Sequence, residues 1–215
     1  MSHPLPQNHR LPAEDRRRQL LEAALNLFAV KGFEGTTTKE IAAAAGVTEA
    51  IIFRHFPTKQ ALYDAVLGYH HESGEMDAML LRLTSLMQAN DDIGLFRALI
   101  DKMIQSYRRD SRMARTLLFA ALEGHKTGLA NHRERSLPVF ELFCQYIERR
   151  QREGALRRDV PPASIIGVLV GSAAHYGMMT EFFGFTVDAS DDEVAGAMLN
   201  IILRGVLPAA PQLEA

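Results

Sequence analysis

The run Thr36-Thr37-Thr38-Lys39-Glu40-Ile41-Ala42, followed by Ala45-Gly46-Val47-Thr48 and by Ile52-Phe53-Arg54-His55-Phe56-Pro57-Thr58-Lys59, spells two short helical segments around a glycine. Hydroxyl residues at 36–38 supply an N-cap for a helix from Thr38 to Ala45. Gly46 permits a sharp turn, and Thr48 caps a second helix ending near His55, before Pro57 interrupts. Ile41, Ala42, Ala45, Val47, Ile52 and Phe56 are expected to face inward, with the alanines letting the helices approach closely. Thr48, Glu49, Ala50, Ile51, Phe53, Arg54 and His55 are left outward. A helix-turn-helix with its second helix exposed in this way has the geometry that enters a DNA major groove.

Outward from this pair the pattern stays helical. Leu20, Ala24, Leu27, Phe28 and Lys31 follow a 3.6-residue period that Gly32 terminates, giving the helix against which the pair packs. Further amphipathic stretches are read at about 59–88, 92–109, 111–126, 130–153, 162–183 and 190–206. The breaks between them fall at Asn90-Asp91-Asp92, Asp110-Ser111, Thr127-Gly128, Gly154, Pro161-Pro162 and Gly184, and Pro138 should kink or break the fourth. No sustained period-two alternation suggests a sheet. The expected fold is all-α: a three-helix head at 13–60 (helix-turn-helix about 37–56), a larger helical body at 61–207, and tails at 1–12 and 208–215.

Composition agrees with a globular chain: of 215 residues, 47% are apolar and 23% charged. The net charge is −2, but residues 1–60 carry eight Lys or Arg against six Asp or Glu, so the basic excess is local to the head. The single cysteine, Cys144, excludes an intrachain disulfide and sites built on several thiolates. The proline-bearing N-terminus has no apolar core of a signal peptide. Residues 163–180 hold no charge, yet three glycines and several polar groups favour a buried helix over a membrane span. A cytoplasmic protein without metal or cofactor is expected. No Gly-rich phosphate loop, nucleophile elbow or zinc-binding His-Glu-x-x-His suggests an enzyme. His70 and His71 diverge on a helix, and His71 with Glu75 reads as a solvated pair.

Together with Ala23-Ala24, Leu27-Phe28, Gly32-Phe33 and Leu62, these residues resemble the TetR (tetracycline-repressor-like) family over about 14–65. The resemblance implies a homodimeric transcriptional regulator, a repressor on a palindromic double-stranded DNA operator, and a body that binds an inducer. It assigns Thr38, Arg54, His55 and Lys59 to phosphate contacts, and Lys39, Glu49, Ala50, Ile51 and Phe53 to the groove. Thr48 would serve as both N-cap and phosphate donor. Two departures stand out: Phe53 replaces a common Tyr and Glu49 a frequent Lys. The alternative is therefore a ligand-binding helical protein with weak or lost operator binding.

In the body, Phe96, Met103 and Tyr107 share one helix face, and Phe119, Phe143 and Met179 lie on three others. These are the expected lining of a pocket for a small, largely apolar ligand, with Tyr107 or His175 as polar anchor. The last two helices are expected to form the dimer interface, with Gly167, Gly171 and Ala174 allowing close approach and Leu199, Ile202, Leu203 and Val206 supplying apolar area.

Overall fold

The computed structural model describes residues 12–69 and 74–207. Ten helices run through them: α1 (Ala13–Lys31), α2 (Thr38–Ala44), α3 (Glu49–His55), α4 (Lys59–Tyr69), α5 (Gly74–Gln88), α6 (Asp92–Arg109), α7 (Arg112–Leu122), α8 (Lys126–Arg152), α9 (Pro162–Phe182) and α10 (Asp191–Val206). No strand occurs among the described residues. The expected tails, and the pair His70-His71, lie outside the described residues, as does the side chain of Glu75.

The chain forms two compact units. The first holds the chain up to His70 together with Arg112–His132, and the second holds His71–Ser111 and Arg133 onward. The unit around the head is thus larger than residues 13–60, taking in α4, α7 and the start of α8. Its core joins Leu20, Ala24 and Phe28 of α1 to Ile41, Ile52, Leu62 and Tyr63, all essentially inaccessible, with Met113 and Ala120 of α7. Tyr63 packs edge-on to Phe28 at 4.7 Å and donates its hydroxyl to the Thr116 carbonyl at 3.2 Å. A tyrosine so buried needs that acceptor.

Local signals account for the helix ends. Thr37 accepts from the Glu40 amide while Glu40 accepts from the Thr37 amide at 2.9 Å, a reciprocal cap that stabilises α2 by about 0.5–2 kcal/mol. Thr58 accepts from the Ala61 amide at 3.0 Å to start α4. Gly32 and Gly46 take φ of +68° and +63°, which L side chains adopt with strain.

Of the 59–88 stretch, Lys59–Tyr69 and Gly74–Gln88 are helical, and residues 70–73 lie outside the described residues. The structure differs from the periodicity reading around α8. The break before α8 falls at Gly124, φ +77°, rather than at Thr127-Gly128. Gly128 sits inside α8, where a Cβ would collide with Leu67 of α4 and stand 2.8 Å from Asp64, so it is small for packing. Pro138 lies within α8, which runs through it from Lys126 to Arg152.

In the second unit, α6 lies along α9, and α10 packs on both. Leu95, Phe96, Ile100 and Ile104 of α6 meet Leu169 and Ala173 of α9, with Phe143 and Ile147 of α8 and Ile202 of α10. Gly177 lets α9 approach Tyr107, whose ring carbons stand 2.6 Å from where a Cβ would be. Polar clamps finish the unit. Arg150 binds both oxygens of Asp92, at 2.9 Å each for the closest contacts, and Tyr146 donates to the same carboxylate at 2.5 Å. Asp191 accepts from Arg108 and from the Tyr176 hydroxyl at 2.8 Å.

Helix α9 is long and apolar enough to span a membrane by length and composition alone. One side, with Ile165, Ile166, Leu169, Ala173 and Gly177, is buried within its own unit. Gly167, Val168 and Gly171 are exposed on another side, and a Cβ at either glycine would meet nothing within 4 Å. Ile202 and Val206 of α10 are core residues, and Leu199 and Leu203 pack against that core. Ala195, Ile202 and Val206 are thus used against the unit's own core, whereas Leu199 and Leu203 keep part of their surface exposed. Ile201, 73% exposed, adds to that surface.

Candidate nucleic-acid interface

The turn between α2 and α3 is closed by two backbone bonds, Gly46 N–H to the Ala43 carbonyl at 3.1 Å and Val47 N–H to the Ala42 carbonyl at 2.9 Å. Ala42 and Ala45 are buried, so the helices meet at short range, and Gln19 of α1 donates to the Ala45 carbonyl at 2.9 Å. Helix α3 is anchored by Ile52 and by Phe56 just beyond it. Thr48, Glu49, Ala50, Phe53 and Arg54 are exposed, Phe53 to 46%, while Ile51 is half-buried. This is the outward set expected from the sequence, save for the half-covered Ile51 and His55.

The polar groups differ in how far they are committed. Lys39 and Arg54 have no hydrogen bond or ion pair among the described residues, which leaves two cationic groups available to phosphate. Thr48 occupies the N-cap by its backbone, but its hydroxyl makes no cap bond. The Thr38 hydroxyl instead donates to Glu49 Oε1 at 2.5 Å, tying the start of α2 to the start of α3. Glu49 thus holds its carboxylate beside the group assigned to phosphate. Lys59 lies with Nζ 4.1 Å from the centre of the Phe33 ring, a cation–π contact with its ammonium half-covered. Lys31 and the two Thr37 bonds hold the Glu40 carboxyl down to about 2, so it stays ionised in its cap.

His55 is half-buried, and its Nε2 is buried without a hydrogen-bond partner among the described residues. Burial, then the charges of Arg54, Arg16 and Arg17, lower its pKa from 6.5. It is neutral at pH 7 and lacks the positive charge that a phosphate contact would use.

One feature had no signal in the sequence. Glu123, after α7, accepts from the Phe33 amide at 3.0 Å and the Glu34 amide at 3.3 Å, bracing the turn that follows α1. His125 packs edge-on to Phe33 and Tyr63, with ring centres at 4.4 and 4.9 Å. All these partners are distant along the chain, and no local pattern announces them.

The expected ligand residues differ in burial and in the unit they belong to. Phe96 and Phe143 are buried core, Met103, Tyr107 and Met179 are half-buried, and His175 is exposed rather than interior. Phe119 belongs to the first unit, where its ring stands 2.9 Å from a Cβ built on Gly32. The second unit's two described grooves, one lined by Met87, Leu142 and Tyr146 and one by Arg97, Ile104 and Asp191, contain none of the seven.

A glycine-turned helix pair with an exposed second helix and free cations beside it defines the class: a helix-turn-helix DNA-binding protein. Residues 20–66 match the model of "Bacterial regulatory proteins, tetR family", so the head carries that family's DNA-binding domain, and the chain is a DNA-binding transcriptional regulator. It is 51% identical over 53 residues to the HTH-type transcriptional regulator YvkB of Bacillus subtilis (strain 168), a match spanning 25% of this chain and 28% of that one. It is 24% identical over 206 residues to the HTH-type transcriptional repressor KstR2 of Rhodococcus jostii (strain RHA1), covering 91% of this chain and 96% of the relative. Among solved structures, the transcriptional regulator FadR from Bacillus subtilis in complex with stearoyl-CoA superposes with a TM-score of 0.66 at 12% identity, covering 87% of this chain and 98% of that one. That likeness is one of fold.

Proposed function

We propose that the chain acts in the cytoplasm as a homodimeric repressor on a palindromic operator. The observation that carries this reading is the exposed row of α3, with Glu49, Ala50, Ile51 and Phe53 toward the bases and unpaired Lys39 and Arg54 beside it. Thr38, Thr48 and Lys59 stand at the edges of that surface as further phosphate donors, and His55 would join them only when protonated. The exposed apolar side of α9, with Val168 between Gly167 and Gly171, and Ile201 of α10 would pair with a second copy. Two heads so joined read half-sites about 34–36 Å apart or a multiple of that. His175, exposed on the same helix as Gly171, belongs to this surface rather than to a ligand site.

Release is by a small, largely apolar molecule held in the second unit. Met103, Tyr107 and Met179 keep partial exposure there, whereas Phe96 and Phe143 form the wall behind them. Support comes from FadR, which holds stearoyl-CoA on the same fold, and from the repressor role of KstR2. The second reading, a ligand-binding protein without operator binding, draws on the Glu49 carboxylate at the start of α3. Fluorescence anisotropy with fragments of the source genome, repeated over a salt series, separates the two. The repressor reading expects one tightly bound class of fragment whose affinity falls steeply with salt. Uniformly weak binding to every fragment would leave the second reading.

A further inference from the structure

A groove of about 490 Å³ runs between α5 and α8 in the second unit, and none of the ligand or DNA residues assigned above lines it. Its volume falls in the range of ~300–1,000 Å³ usual for small-molecule sites. Its apolar floor is Met87, Leu142 and Tyr146. The two guanidinium groups on its wall differ. Arg149 is committed: it donates to Glu153 at 3.1 Å and to the Met87 carbonyl at 3.1 Å, and lies 5.2 Å from the centre of the Tyr146 ring. Arg152 has no side-chain hydrogen bond or ion pair among the described residues, and no Asp or Glu lines the groove.

We propose that this groove binds an amphipathic organic carboxylate, its aliphatic body on Met87, Leu142 and Tyr146 and its anionic head on Arg152. The chemistry follows from the lining: apolar area alone would accept any hydrocarbon, whereas one uncompensated guanidinium selects an anion and suits the planar, two-oxygen geometry of a carboxylate. Gln88 and Gln145, also on the lining and without side-chain partners among the described residues, give polar contacts to the head or the first carbons. The site rests on the proposed function only if its occupant also releases the operator; binding itself does not depend on that reading.

Titration calorimetry of the full chain with decanoate below its micelle concentration tests the site, with decanol as the uncharged match. The expected result is one decanoate per chain and at least tenfold weaker decanol. Arg152→Met, which keeps the stem and removes the charge, should bring decanoate to the decanol level. Leu142→Glu should abolish both. Arg152 is exposed and Leu142 is 41% exposed, so both variants should unfold like the parent, which a urea titration checks. Decanoate binding that is absent, matched by decanol or unchanged in Arg152→Met overturns the proposal. Decanoate bound through Arg152 without loss of operator affinity supports the site and removes it from the release mechanism. Operator release by another molecule, with no decanoate bound, keeps the repressor reading and overturns the groove.

Discussion

Helix α3 has seven residues and buries one of them, Ile52, whereas α9 has twenty-one and buries Ile165, Ile166, Leu169, Ala173 and Gly177 on one side. Too short to hold itself, α3 depends on α1 and α2 for its position and exposes polar and aromatic side chains. By contrast α9 is apolar all round, so its packed side cannot hide the rest, and Val168 stays 55% exposed. Exposure therefore means different things in the two places. On α3 it offers side chains to a polar, charged surface; on α9 it is apolar area that water disfavours and a like surface would cover.

The contrast breaks most visibly at Gly171. In Gly171→Glu, the Cβ would meet nothing within 4 Å beyond the helix's own nearby backbone, so the side chain starts in open space. Folding should be unaffected, while two charges enter the proposed pairing surface. Sedimentation should show monomers, and operator affinity should fall by about a hundredfold or more as the two heads lose their linkage. A variant that remains dimeric would place the pairing surface elsewhere.

The next test compares the polar ties of the two units. In Arg150→Ala, Asp92 loses its bidentate partner at a site only 12% exposed, and the second unit should lose about 3 kcal/mol. In Glu123→Ala, the Phe33 and Glu34 amides lose their acceptor, at a cost of about 1–2 kcal/mol to the first unit. Urea unfolding followed by a probe in each unit would measure both. Equal losses in both units from either change would mean that they unfold as one.

A smaller effect concerns base reading. Thr38→Val frees Glu49, whereas Thr38→Ser keeps the bond. If Thr38 contacts phosphate, Thr38→Val weakens all sequences alike. If it mainly positions Glu49, fragment selection should show a changed preference at one base position only, restored by serine.

The smallest expected effect is the pH dependence of His55. Its folded pKa lies below 6.5, so the unfolded chain binds more protons, and the neutral ring's contribution is complete above 6.5. That contribution is lost as pH falls from 6.5 through the folded value. His55→Asn should unfold at the same urea concentration at pH 5.5 as at 7.5 once the parent's other titrations are subtracted. A protonated His55 on phosphate would make parent operator affinity rise over the same interval. A flat affinity would take His55 out of the contact set.

Much of the head was legible because its signals are local. Thr37, Gly46 and Thr58 act within four residues of where they stand, and the burial of Ile41, Ile52 and Phe56 follows from their spacing. In the second unit the spacing failed where it carried no direction. On α9 apolar and small residues fall on every side, so period alone could not say which side is covered. On α10 a real stripe existed, but Ile202 and Val206 are core, and the exposed Ile201 is the residue just before Ile202. Phe119 was grouped with the body by its position along the chain, while its packing belongs to the first unit.

The brace from Glu123 to the amides of Phe33 and Glu34 joins residues about ninety positions apart. A nascent chain that has released only the helix-turn-helix has therefore not yet made the parts that finish it. Tyr63 still lacks the Thr116 carbonyl, and Phe33 lacks the His125 ring. Synthesis must pass residue 125 before these contacts of the first unit are complete. A messenger cut short after α4 would yield the helix pair with Tyr63 and Phe33 uncovered and the turn after α1 unbraced, a species exposed to chaperones and proteases.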